Sequence, residues 1–140
     1  MKRLIFLLPV LFTLLLLSSC EKEDETTCEE HTVAPCAVDT TQSNIRVKNV
    51  SDYDFCNVVI DPNGNLTNYG IIEKGETTCY RPFETAYRYA YVNLIIEEKE
   101  FILQPIDFVG EQPLGTGNFT YSIDVSDFEN RTLSIEASED

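Results

Sequence analysis

Asn118-Phe-Thr-Tyr-Ser-Ile-Asp-Val125 decides the fold class. Phe119, Tyr121, Ile123 and Val125 alternate with Asn118, Thr120, Ser122 and Asp124, the period of a strand with one dry face and one wet face. The same two-residue period opens the domain at Asn44-Ile-Arg-Val-Lys-Asn-Val50, where Ile45 and Val47 oppose Arg46 and Lys48. It closes it at Thr132–Ala137, where Leu133 and Ile135 oppose Ser134 and Glu136.

Between these lie further strand signals at short spacing. Phe55–Ile60 is apolar on both faces, as a central strand would be, and Asp61-Pro-Asn-Gly-Asn65 carries the chemistry of a tight turn. Tyr69–Ile72 and Thr77–Phe83 follow, divided by Lys74-Gly75. Tyr87–Ile96 reads as the longest strand, with Phe101–Ile106 returning beside it after Glu97-Glu98-Lys99-Glu100. Seven to eight short strands without a helical stretch predict an all-β, antiparallel β-sandwich, immunoglobulin-like or transthyretin-like. The domain so delimited is 44–140, about one hundred residues, enough for one core and not for two.

The beginning of the chain reads differently. Lys2 and Arg3 precede an apolar run from Leu4 to Leu17, the charge and hydropathy order of a secretory signal. The run is short for a membrane span, which needs about 20 apolar residues, and Glu21-Lys-Glu-Asp-Glu25 follows it directly. Leu17-Ser18-Ser19-Cys20 resembles the lipobox of bacterial lipoproteins, which implies cleavage after residue 19 and lipid, palmitate included, on Cys20. Residues 20–43 then read as an acidic, threonine-rich tether without hydrophobic period. Lys22-Glu23-Asp24-Glu25 resembles the export signal of surface lipoproteins in the Bacteroidota, implying an outer-membrane lipoprotein facing outward. Asp39-Thr40-Thr41 resembles the O-glycosylation signal of envelope proteins in the same phylum, with Thr40 as acceptor. Together with Tyr69-Gly-Ile-Ile-Glu-Lys-Gly-Glu76, Ala86-Tyr-Arg-Tyr-Ala-Tyr91 and Gln104-Pro-Ile-Asp-Phe-Val-Gly110, these stretches look like small uncharacterised lipoproteins of Bacteroidota. The resemblance carries no catalytic or binding residue.

Net charge is −14, and loss of Lys2 and Arg3 with a signal peptide would take it to −16. Such a surface repels phosphate backbones, so nucleic acid is not an expected partner. With Cys20 lipidated, Cys28, Cys36, Cys56 and Cys79 form an even set in an exported chain, which predicts two disulfides. Their spacing favours Cys28 with Cys36, around Pro35, and Cys56 with Cys79, joining two strands. Metal ligation would need close-set cysteine pairs and histidines, and His31 is the one histidine, so neither metal nor cofactor is expected.

Signs of catalysis are sparse. Asp61, Asn63 and Asn65 begin like a calcium loop, but Leu66 and Ile72 stand where an EF-hand requires Gly and Glu. Asp124, Asp127 and Glu129 cluster near a turn, yet paired carboxylates act only across a cleft. No serine has an imidazole base outside the tether. The sequence therefore predicts a non-enzymatic module for binding, adhesion or envelope assembly, with a protein or glycan partner and the membrane reached through the lipid. Tyr87, Tyr89 and Tyr91 fall on one face of the expected long strand. They form either a packed core face or an outward aromatic ladder suited to sugar rings or a protein partner. The ladder is the basis of the alternative function, a carbohydrate-binding accessory module of a glycan-uptake system.

Overall fold

The computed structural model describes Cys28 and residues 32–140. Eight strands are present: β1 (Ser43–Asn49), β2 (Phe55–Asp61), β3 (Thr67–Ile72), β4 (Arg81–Phe83), β5 (Tyr91–Ile96), β6 (Lys99–Leu103), β7 (Gly117–Asp127) and β8 (Thr132–Glu139). They build two four-stranded sheets, β4-β1-β7-β8 and β3-β2-β5-β6, packed face to face as a β-sandwich. Every strand pair is antiparallel except β1 with β7, which run parallel from Ser43 opposite Gly117 to Asn49 opposite Ile123. In the immunoglobulin order the first two strands share a sheet. Here β1 and β2 lie in opposite sheets, which leaves the transthyretin-like alternative.

The alternating stretches bury the side chains their period assigns. Ile45 and Val47 on β1, Phe119, Tyr121 and Ile123 on β7 and Leu133 on β8 meet Val58, Ile60, Val92, Leu94 and Phe101 from the other sheet. Each large apolar side chain so buried contributes about 1.5–3 kcal/mol relative to exposure. Buried polar groups are matched. Asn49 donates through Nδ2 to the carbonyls of Tyr53 (2.7 Å) and Ile72 (3.1 Å), and its Oδ1 accepts from the Ser51 amide (3.0 Å) and hydroxyl (2.8 Å). That one side chain joins the end of β1 to the entrance of β2 and the end of β3.

Three strands differ from the periodic reading. Tyr87–Ala90 lies outside any strand, and β5 begins at Tyr91. Ala86 and Ala90 are fully buried within this connection, and the Tyr121 hydroxyl donates to the Tyr87 carbonyl, so the backbone is held by the core rather than by a ladder. The expected strand Thr77–Phe83 shrinks to β4, because the Thr78 hydroxyl takes the Val47 amide (3.0 Å) that a continuing strand would bind. Glu97 and Glu98 both adopt positive φ, +47° and +64°, which makes a two-residue hairpin turn. Hence β6 starts at Lys99, earlier than expected.

The largest correction concerns residues 20–43. From Thr32 onward this segment is not a tether but a strap laid over the edge where β3 and β4 end the two sheets. Its backbone supplies the contacts: the Ala34 amide donates to Asn68 O on β3 and the Ala37 amide to Tyr80 O beside β4, each at 3.0 Å. Asn44 then ties the strap to β7, through Nδ2 to Asp39 O (2.9 Å) and Gly117 O (3.2 Å).

All four candidate cysteines are bonded, but in a different pairing: Cys28 with Cys56 and Cys36 with Cys79. Cys56 belongs to β2 of one sheet, whereas Cys79 precedes β4 of the other, so they cannot meet across neighbouring strands. Instead Cys36, within the strap, is bonded to Cys79 beside β4, and Cys28 is bonded to Cys56 in β2 of the other sheet. The bridges close loops spanning 28 and 43 residues in sequence, and each such constraint contributes on the order of 3–4 kcal/mol in the chain-entropy description.

Candidate functional site

The two edges of the sandwich are built differently. Under the strap, Arg81 is buried with its guanidinium 4.1 Å from the centroid of the Tyr69 ring. Its Nε donates to Ala34 O (2.9 Å) and its Nη1 to Cys79 O (3.3 Å). Burial lowers the Arg81 pKa, opposed by the neighbouring Tyr69, and burial likewise raises the Tyr69 phenol. A charge so enclosed by carbonyls and a ring face is structural cement. Beside it, Gly70 has φ +79°, and a Cβ there would stand 2.7 Å from Val33 Cγ2 of the strap. This edge is therefore closed.

At the opposite edge, β6 and β8 end their sheets, and among the described residues no strand or strap pairs with them. Tyr89, Leu103, Pro105, Ile106, Asp107 and Ile135 line a groove of about 400 Å³ there, largely apolar. The loop 104–116 forms its wall. The Leu114 amide donates to Ala86 O (2.8 Å), and the Phe108 ring stacks on Tyr87 at 4.7 Å and 14°, so the loop is fastened to the connection before β5. It nonetheless turns Ile106 wholly to solvent and Val109 86% so. Ile106 and Tyr89, both exposed, line the groove, whereas Val109 stands outside its lining.

The predicted residues distribute as follows. Tyr87, Tyr89 and Tyr91 do not form a row, because the first two precede β5. Tyr87 is half-buried on Phe108, Tyr89 stands at the groove with its hydroxyl 3.4 Å from Glu111 Oε1, and Tyr91 accepts from Asn93 Nδ2 (3.3 Å) on the outer face of β5. Thr40 is exposed in a turn, where Asp39 Oδ1 accepts the Thr41 amide (2.8 Å) and hydroxyl (2.6 Å). The bonds from Thr41 hold the Asp39 carboxyl below its ordinary pKa. Cys20, the signal peptide and the acidic export stretch lie outside the described residues.

The oxygen-rich candidates resolve into turns. Asp61 Oδ1 accepts the amides of Asn63 (2.9 Å) and Asn65 (2.7 Å). Asp127 accepts the Asn130 amide (2.9 Å) and side chain (2.8 Å), bonds that depress its pKa. Neither Asp124, Asp127 nor Glu129 lines the groove. Among the described residues, no three His, Cys, Asp or Glu side chains converge as a ligand set.

Sequence reasoning missed the groove. Its residues come from 89, 103–107 and 135, and no period links them. The one available signal was Ile106 and Val109 standing in a segment rich in turn residues.

No family model matches the chain, and no curated protein does. Among solved structures, a protein from Eubacterium rectale determined by NMR superposes with a TM-score of 0.51 at 12% identity, covering 71% of this chain and 91% of its own. A likeness at that identity is one of fold alone.

Proposed function

We propose that the chain is a membrane-anchored, non-enzymatic binding module of the bacterial cell envelope, displayed outward on the outer membrane and docking a protein partner at the β6/β8 edge. The anchor rests on Leu17-Ser18-Ser19-Cys20 and the short apolar run before it; two acyl chains or more hold a domain stably where one does not. The docking role rests on one observation, the apolar groove lined by the exposed Ile106. The two disulfides accord with an exported protein. A sugar-binding role loses its ladder, since Tyr89 is the one tyrosine of the three at the groove.

Two experiments test the two halves. Labelled palmitate should be incorporated by the chain and not by Cys20→Ala; continued labelling of the variant would refute the anchor. A photo-crosslinking phenylalanine at position 106, in cells that make the protein, should yield an adduct that the same probe at exposed Ile71 near the strap does not. Equal adducts, or none, would refute docking at the groove.

A further inference from the structure

We infer that the β6/β8 edge takes a basic, extended segment of a partner protein, added as a strand to β8; this rests on the docking reading of the groove. The backbone carries the first part. β7 and β8 pair with Thr120 opposite Ser138, Ser122 opposite Glu136 and Asp124 opposite Ser134, and the Asp140 amide donates to Asn118 O (3.0 Å). Antiparallel bonding alternates residue by residue, so Ser134, Glu136 and Ser138 use their main-chain groups on β7. Ile135 and Ala137 must then direct theirs to the other side. β8 ends its sheet, and among the described residues these groups meet no partner strand. An unpaired edge of this kind is a template for strand addition.

Side chains supply the chemistry. A strand laid along Ile135–Glu139 alternates its side chains between two surroundings. Those turned inward enter the groove against Ile135, Leu103 and Ile106, which suits small β-branched groups. Those turned outward flank the exposed Glu136, the one acid of Ile135–Glu139 on that face, since Glu139 shares the parity of Ile135 and Ala137 and Asp107 lines the groove on the other side. Opposite charges across a strand pair stabilise it and like charges oppose it, so the outward positions call for Lys or Arg. Arg88 shares the smaller neighbouring hollow with Ala137 and Glu139, so the acid at that end of the strand already has a basic neighbour and the preference for Lys or Arg rests on Glu136. The same argument disfavours a second copy of this chain: an antiparallel β8 pair in which Ile135 faces Ala137 sets Glu136 against its own counterpart, and the net charge is −14.

The probes are three blocked, dye-labelled peptides: alternating Lys and Val, alternating Glu and Val, and the first with its edge-facing amides N-methylated. Anisotropy titrations use the full chain in neutral detergent. The Lys-Val peptide should bind, with shifts confined to the amides of Ile135, Ala137 and the loop 104–109. The Glu-Val peptide should bind at least about fivefold more weakly, and Glu136→Lys should reverse the preference. N-methylation should weaken binding about tenfold, since it removes main-chain donors and leaves the side chains. Equal binding of the two charge types would overturn the inference, as would indifference to N-methylation or a dimer of the chain built on β8. If no peptide binds while the crosslinker at position 106 still captures a partner specifically, the docking reading stands and the basic strand is wrong.

Discussion

The two edges of this sandwich face the same physical problem and meet it in opposite ways. A sheet edge exposes unpaired amides and carbonyls, which invite other strands. At β3/β4 the chain answers with its own strap, two disulfides, backbone bonds to Asn68 and Tyr80, and the buried Arg81. At β6/β8 no strap covers the edge among the described residues, and an apolar groove stands beside it. On the docking reading proposed above, closure on one side would leave a strand-adding partner the other edge, unpaired among the described residues.

The first way to break the contrast is to unlock the strap. Replacing Cys36 and Cys79 together by Ala should lower stability by on the order of 3–4 kcal/mol in denaturant titrations. Ile106→Glu, at the open edge, should alter it by less than about 0.5 kcal/mol. Comparable losses would mean that the strap is no more structural than the groove.

Next in size is Gly70→Ala, expected to cost about 2 kcal/mol. It combines a positive-φ backbone with the approach of Val33. Adding Val33→Ala should recover the steric part and leave the backbone part. A recovery to the native midpoint would show that φ carries none of the cost.

How much of this could be read beforehand follows from the kind of interaction involved. β1, β7 and β8 bury one face only, so their sequences carry the alternation that betrays them. Ala86–Ala90 alternates Tyr87 and Tyr89 with Ala86, Arg88 and Ala90 and so imitates a strand, and only the fold makes it a buried connection. The evenness of the cysteines was legible, because reading Cys20 as a lipid attachment site leaves four. Their partners were not, because the strap crosses from one sheet to the other. The strap itself escaped because backbone bonds and disulfides hold it, and main-chain hydrogen bonding leaves no side-chain signature at Thr32–Asp39. The groove assembles Tyr89, Ile106 and Ile135 from three distant stretches, and its purpose is written in none of them singly.

A smaller effect should appear with acid. Asp140 accepts from Thr120 Oγ1 and Tyr80 Oη, each at 2.6 Å, and pairs with Arg46 at 3.2 Å. Burial raises its pKa, but the bonds from Thr120 and Tyr80 and the charge of Arg46 together leave it lowered from the ordinary 3.8. A carboxyl lowered by folding stabilises the native state above its unfolded pKa, and the contribution disappears as pH falls through the folded value. The outer face of β1 and β7 should therefore weaken below about pH 4, and Asp140→Asn should flatten that part of the stability profile. An unchanged slope in the variant would remove Asp140 from the account.

Smallest is the hairpin that ends the open edge. Glu97 and Glu98 sit at φ +47° and +64°, where Asn and Gly are at ease. Replacing them by Asn-Gly should raise stability by about 0.5–1 kcal/mol without changing peptide binding at β8.

Native-state hydrogen exchange tests the contrast most directly, residue by residue in one experiment. The amides of Ala34 and Ala37, bonded to Asn68 and Tyr80, should exchange only through global unfolding and become fast when the disulfides are reduced. Those of Ile135 and Ala137 should exchange quickly in the chain alone and slow when the Lys-Val peptide is added. Protection of Ile135 and Ala137 in the chain alone, equal to that of Ala34 and Ala37, would mean that the β6/β8 edge is already covered, and the central claim would fall.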